Sequence, residues 1–283
     1  FDGTSVRREK ADLSRADEIR RVVADHDLVI GSVPGPMGFD TVRAVIEVGK
    51  DVVDISFFEQ DAFELDALAR EHGATVLVDC GVAPGTSNLI LGRMVEELDR
   101  VESFTCYVGG LPVARSLPYE YKAPFSPIDV IAEYTRPVHL REHGRDVVRP
   151  AIGELELVEF EGVGTLEAFE TDGLRSLLRL EDVPNMIEKT LRYPGHRDRI
   201  ELLRQTGFFG EEPVELRDGT TVRPVDLTAH LLFDQWRPEP GDEEMTLMRV
   251  VIDGESGGQT VRHTFELADR TDPETGTSSM ART

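Results

Sequence analysis

Three short stretches of this 283-residue sequence place polar or reactive side chains directly after an apolar run. Ser32 and Pro34 follow the run 28–30, Asp54 and Ser56 close the run 52–55, and Cys80 follows the run 75–78. A carboxylate at the end of an apolar run is either buried at a cost or turned toward a ligand. Its plainer reading is a helix cap, and the plainer reading of Cys80 is a small core residue. No histidine stands near Cys80 in sequence to make it a thiolate nucleophile. Further along, Lys122 stands out because the chain has only Lys10, Lys50, Lys122 and Lys189. Arg136 is of the type that grips a carboxylate with two hydrogen bonds, although a surface salt bridge would also account for it. His139 and His143 have the spacing of a helical zinc site, but they flank a predicted strand end, so their side chains do not converge and no metal is expected.

The elements that must position these residues follow from the periodicity. The runs 28–30, 52–55 and 75–78 are too short for helices and read as fully buried strands. Between them, residues 39–48 and 61–71 have helical spacing and end at Gly49 and Gly73. Strand, helix, strand, helix, strand predicts a parallel doubly wound, Rossmann-like sheet, in which ligands bind outside the carboxyl ends of the strands. A preceding helix is predicted over 14–25, with Ser14 and Asp17 as a capping pair. Residues 87–98 read as a helix leading out of the crevice. The pattern then changes to strands at 101–109, 138–140, 147–149, 155–160, 166–171, 245–253 and 259–269, and residues 191–193 precede a helical stretch. Helices are predicted from Ser126 to Thr135, over 197–206 and over 226–236. Gly254–Gly258 marks a hairpin. This half is an α+β domain with a mostly antiparallel sheet. The domain plan is therefore 1–98 for an incomplete α/β domain, 99–270 for the α+β domain, and 271–283 for the start of a helix returning to the first.

Composition narrows the class. The sequence has 54 acidic and 31 basic residues, a formal net charge of −23, which argues against nucleic acid and anionic membranes as partners. Acid excess with arginine in place of lysine fits a halophilic, salt-rich cytoplasm. Two cysteines make no disulfide framework, and the absence of a long apolar run or signal-like start reads as a cytoplasmic protein.

The segments GKDVVDIS and VLVDCGVAPGTSNL closely resemble the saccharopine dehydrogenase (saccharopine reductase) family, and YKAPFSPIDVIAEYTRPV is most similar to its lysine 6-dehydrogenases. The resemblance runs from about residue 10 to the end. It implies a nicotinamide-dependent oxidoreductase acting at an amine-bearing carbon, with NAD as cofactor and NADP not excluded. It also implies that the first βαβ unit and the closing helix lie beyond the two ends. Asp12, Ser32, Pro34, Asp54 and Ser56 would meet the cofactor, Asp54 alternatively as a ribose acceptor.

Asp54 and Cys80 would serve the chemistry, since an ammonium cannot release hydride and a carboxylate can help to remove its proton. Lys122, Arg136, Asp172, Arg175, Arg192 and His196 would bind a small amino-acid substrate. Asp172 also reads as a helix cap, and His196 as an ordinary loop histidine. Saccharopine-handling relatives carry an Asn-Arg-Asp-Ser run where this chain has Thr171-Asp172-Gly173-Leu174-Arg175-Ser176, which turns the expectation toward L-lysine. The second domain would close one side of the crevice and assemble a homodimer or higher homo-oligomer. The alternatives are a saccharopine-type enzyme working by imine reduction and a non-catalytic scaffold without a nucleotide loop.

Overall fold

The computed structural model describes residues 6–123 and 125–283. The first five residues of the polar start, and Pro124 of the YKAPFS motif, lie outside the described residues. The chain divides into two compact units, Phe1–Gly81 and Val82–Thr283.

The first unit runs α1 (Ala16–Val23), β1 (Leu28–Gly31), α2 (Gly35–Glu47), β2 (Asp51–Asp54), a 3₁₀ turn at Ala62–Leu65, α3 (Asp66–His72) and β3 (Val76–Leu77). The strands form a parallel sheet in the order β1-β2-β3, as the alternation with helices requires. Gly49 and Gly73 lie beyond the ends of α2 and α3 with φ of 67° and 64°, the left-handed cap that glycine adopts without strain. Two boundaries differ from the periodicity. Helix α2 begins at Gly35, because Pro36 in the first turn loses no hydrogen bond. Helix α1 begins at Ala16 without a side-chain cap, because Ser14 donates instead to Asp12 and Asp17 pairs with Arg15.

The strands are not buried on both faces. Val29, Val52, Val76 and Val78 join the helices in one core, whereas Leu28, Ile30 and Leu77 on the opposite face are 54%, 74% and 55% exposed. The helices of this unit pack on a single face, which overturns the expectation of fully buried strands.

The second unit runs α4 (Thr86–Glu97), β4 (Arg100–Pro112), α5 (Pro127–Thr135), β5 (Val138–Glu142), β6 (Arg145–Arg149), β7 (Leu155–Phe160), β8 (Gly164–Glu170), β9 (Met186–Arg192), α6 (His196–Thr206), β10 (Val214–Glu215), β11 (Thr221–Val222), α7 (Pro224–Trp236), β12 (Glu244–Ser256), β13 (Gln259–Arg270) and α8 (Ser279–Arg282). An eight-stranded sheet has the path β13-β12-β4-β9-β5-β6, with β8 beside β9 and β7 beside β8. All its pairs are antiparallel except β4 with β9. The sheet is thus mixed, since β4 and β9 are joined by a long crossover through α5 and β5–β8. The β12–β13 hairpin turns at Gly257-Gly258, both with positive φ, as a two-residue turn matching strand twist requires.

Helix α4 packs on β4 and β12, so the division between units falls ahead of residue 98. Leu91 and Met94 of α4 meet Phe104, Cys106, Met186 and Val250 in one core. The segment after β13 also returns to β12: Ser279 Oγ accepts from the Thr246 N–H at 3.1 Å, and Glu244 Oε1 from the Met280 N–H at 2.9 Å.

The parallel β4–β9 contact is close. A Cβ on Gly109 would lie 2.6 Å from the Leu191 carbonyl oxygen. Gly109→Ala should therefore destabilise by about 1–3 kcal/mol. Gly92, exposed within α4 with open space beside it, should gain about 0.5–1 kcal/mol on becoming alanine. Guanidinium unfolding midpoints of the two variants check this, and an unchanged midpoint for Gly109→Ala would contradict the β4–β9 packing.

Candidate active site

In the first unit the ladder continues past the strands. The Ile55 N–H donates to the Gly31 carbonyl at 3.0 Å and the Cys80 N–H to the Asp54 carbonyl at 3.1 Å. These bonds set the segments after β1, β2 and β3 side by side at the carboxyl edge of the sheet. Ser32 and Pro34 are exposed there, ahead of α2. Asp54 is fully buried: Oδ1 accepts from the Ser56 N–H at 2.8 Å and Oδ2 from the Ser56 hydroxyl at 3.0 Å. Its carboxylate lies over Gly31, where a Cβ would come within 2.0 Å of Oδ2. Asp54 and the buried Ser56 therefore close a turn together, and Gly31 makes room for it.

Cys80 is exposed, and its thiol donates to the Val78 carbonyl at 3.4 Å. Partial burial, then the charges of Asp79 and Asp54, push this thiol above its usual value, so it stays protonated at neutral pH. Asp79 beside it is buried with φ of 55°, a left-handed conformation that costs about 1–2 kcal/mol outside glycine. Asp12 is exposed in the turn ahead of α1, not at a strand end, and the Ser14 hydroxyl and N–H hold its carboxyl below the usual range.

In the second unit, Lys122 Nζ donates to the Arg237 carbonyl at 2.9 Å, tying the loop before α5 to the end of α7. Arg136 caps the last turn of α5 and is half-buried. Arg192 and His196 are enclosed, at 2% and 0% exposure. His196 Nδ1–H donates to the Tyr119 carbonyl at 3.0 Å, which leaves Nε2 to accept from the Tyr134 hydroxyl at 2.9 Å. Tyr134 in turn accepts from Arg192 Nε at 3.1 Å, while Arg192 Nη2 donates to Glu133 at 2.9 Å and its guanidinium lies over the Tyr121 ring. Two residues assigned to the substrate are thus spent on internal partners. The sequence offered no sign of this, because a buried arginine and a ligand-binding arginine look alike in a string.

The turn after β8 carries both Asp172 and Arg175. Asp172 Oδ1 accepts from the His139 N–H at 3.0 Å and from its ring Nδ1–H at 2.9 Å. The histidine considered as a metal ligand is instead the partner of the proposed substrate carboxylate. Among the described residues, no group of three His, Cys, Asp or Glu could hold a metal. Gly173 lies against buried Glu188, where any Cβ would collide with the carboxylate. Asn88 of α4 donates to the Ser176 hydroxyl at 3.3 Å. Asn88, His139 and Glu188 were missed as participants, and no local signal in the mixed polar and apolar segment 186–192 marks Glu188.

The fold defines a two-part α/β protein of the Rossmann-like class. The chain belongs to the saccharopine dehydrogenase family: the model of the saccharopine dehydrogenase C-terminal domain matches residues 81–283. Members of this family are oxidoreductases of amino-acid metabolism. A saccharopine dehydrogenase [NADP(+), L-glutamate-forming] of Pyricularia oryzae is 27% identical over 202 residues, covering 67% of this chain and 45% of that protein. An alpha-aminoadipic semialdehyde synthase of Arabidopsis thaliana is 24% identical over 269 residues, covering 86% of this chain and 25% of its own. The chain therefore spans less than half of these relatives. The apo saccharopine dehydrogenase (L-Glu forming) of Saccharomyces cerevisiae shares the fold, with a TM-score of 0.72 at 17% identity, covering 95% of this chain and 76% of that one. A homospermidine synthase of Legionella pneumophila, solved with NAD, has a TM-score of 0.56 at 12% identity and covers 94% and 70%.

Two outcomes follow from the site. Burial first, then the nearby Arg192 charge, push the His196 imidazole from 6.5 down to about 3. Between these values the unfolded chain binds a proton that the folded chain refuses. Stability tied to His196 is therefore complete above pH 6.5 and drains away as the pH falls toward about 3. Urea unfolding across this window should give a shallower pH slope for His196→Gln than for the parent; equal slopes would contradict the enclosed neutral ring. Iodoacetamide should modify Cys80 slowly at neutral pH and faster as pH rises, and leave buried Cys106 untouched until the protein unfolds. Rapid neutral-pH alkylation of Cys80 would reveal a thiolate.

Proposed function

We propose that the chain belongs to an NAD(P)-dependent oxidoreductase of the saccharopine type, acting on a secondary amine that joins an amino acid to an aldehyde. The observation that carries this reading is the family match over residues 81–283, with relatives named for the L-glutamate-forming reaction. In that direction a C–H carbon of the amine would lose hydride and the nitrogen a proton. Water then adds across the resulting imine and releases an amino acid and an aldehyde.

The cofactor fits only part of what the first unit offers. Gly31 and Gly38 leave no cradle, since Asp54 fills the space at one and Ser56 and Phe58 at the other. Exposed Ser32 and Pro34, at the strand edge where α2 begins, would hold part of it, with NAD or NADP unassigned. When bound, the cofactor supplies the hydride acceptor. Asp54 keeps the turn to Ser56 in place, and Cys80, as a neutral thiol, can donate a hydrogen bond. The second unit would read the substrate through Arg175 and Arg136, with Lys122 fastening the loop before α5 to α7.

The lysine 6-dehydrogenase reading rests on the YKAPFSPIDVIAEYTRPV segment and the missing Asn-Arg-Asp-Ser run. Asp172, whose charge would favour an amine, already accepts two hydrogen bonds from His139. Composition supports placing the enzyme in a salt-rich cytoplasm, and we take it to work as a homo-oligomer. No helix of the described residues is long and apolar enough to cross a membrane.

The full-length protein, assayed by NAD(P)H absorbance with saccharopine and L-lysine against both cofactors, separates these readings. We expect a higher kcat/KM for saccharopine, with L-glutamate among the products. A preference for L-lysine with ammonia release would promote the 6-dehydrogenase, and no turnover with either would favour a scaffold.

A further inference from the structure

The turn after β8 is fastened on both sides of Arg175. Thr171 donates its N–H to the Glu188 carbonyl at 3.3 Å and shares a 2.8 Å hydroxyl contact with Thr190. Asp172 is held by His139, Gly173 rests on Glu188, and Leu174 and Leu177 are buried in the core beneath α4. Arg175, half-buried between these anchors, has φ of 46°. An arginine keeps a left-handed backbone only where its neighbours over-determine it, and such strain concentrates at ligand sites. On the far side of Arg175 the fastening is Ser176, whose hydroxyl accepts from Asn88 Nδ2 at 3.3 Å. Asn88 is itself fixed: its Oδ1 accepts from the Gly85 N–H at 3.2 Å, capping α4, and from the Ser87 hydroxyl at 3.2 Å.

We propose that Asn88 is a positioning residue for the substrate, fixing Arg175 through Ser176 by joining the start of α4 to the turn after β8. This rests on the reading of Arg175 as a contact for a substrate carboxylate. The amide is suited to the task because one group does both jobs: its oxygen caps the helix while its nitrogen reaches the turn. A purely structural role at this third helical position would need only the side-chain oxygen that accepts from the Gly85 N–H.

Ser176→Ala removes the link and leaves the α4 cap intact, and so separates the two jobs. In the full-length enzyme with saccharopine, Ser176→Ala should raise KM roughly 3- to 10-fold, the range of one neutral hydrogen bond, with kcat changed far less. Asn88→Ala should do the same, and Asn88→Ala with Ser176→Ala should be no worse than either alone. In an Arg175→Ala background, Ser176→Ala should have no further effect. An unchanged KM in Ser176→Ala, or the same loss with Arg175 absent, overturns the proposal. If the parent protein turns over neither saccharopine nor L-lysine, the functional reading falls. The positioning role is then decided by amide hydrogen exchange of residues 171–176: faster exchange in Ser176→Ala, with α4 unaffected, supports the fastening, and unchanged exchange rejects it.

Discussion

The second unit is organised around one buried guanidinium. Arg192 sits at the end of β9, the strand that touches β4, β5 and β8, and it is 2% exposed. Its donors reach the Tyr134 hydroxyl, Glu133 and the Leu191 carbonyl, and its flat face lies over the Tyr121 ring. Through Tyr134 it holds His196 at the start of α6, and through His196 the Tyr119 carbonyl of the loop before α5. Trp236 of α7 packs edge-on against Tyr119, Tyr121 and Tyr134. One strand, three helices and a loop therefore depend on a charge that could not stay buried without these partners. Removing Arg192 would leave Glu133, whose carboxyl burial already pushes upward, without its compensating cation.

That arrangement fixes the loop from Tyr119 to Ala123 and the axis of α5, and with them Lys122 and Arg136 at either end of the motif. The turn carrying Arg175 is fixed by a different set: His139, Glu188, Thr190 and Asn88. The two cationic parts of the proposed substrate region thus have different partners, but both sets are anchored on β9.

How much of this was legible in the sequence depended on whether the deciding contact was local. Strand–helix alternation, the Gly49 and Gly73 caps and the Gly257-Gly258 hairpin are encoded within a few residues of themselves, and they stand where the pattern puts them. The exposed face of Leu28, Ile30 and Leu77 was not legible, because a run of apolar residues does not say whether one or two helical layers will cover it. The parallel β4–β9 pair was hidden for a similar reason: its partners are far apart in sequence, and β9 (MIEKTLR) is buried almost throughout without an alternating pattern. Among site residues, Asp54 was rightly located at a strand end, but its inward turn onto Ser56 depends on Gly31 in the neighbouring strand. The enclosure of Arg192 and His196 needed four separated segments to be assembled before it could be seen.

The acid excess has a structural counterpart in how arginine is used. With 54 carboxylates and 31 basic side chains, one cation often has to serve two anions. Arg21 pairs with Glu9 and Glu18, Arg149 with Glu142 and Glu170, and Arg100 with Glu102 and Glu255. A planar fork with five donors can do this with fixed geometry, where a lysine ammonium acts as a single point charge. Exposed pairs of this kind add little stability individually, but each brings a cation between two carboxylates that would otherwise repel. Lysine is scarce for the same reason. Where one does occur at the proposed substrate region, Lys122 makes a single bond to a backbone carbonyl, a task that calls for reach and not for a fork. Other arginines, such as Arg43 with Asp40 and Arg70 with Asp66, each pair with one carboxylate of their own helix.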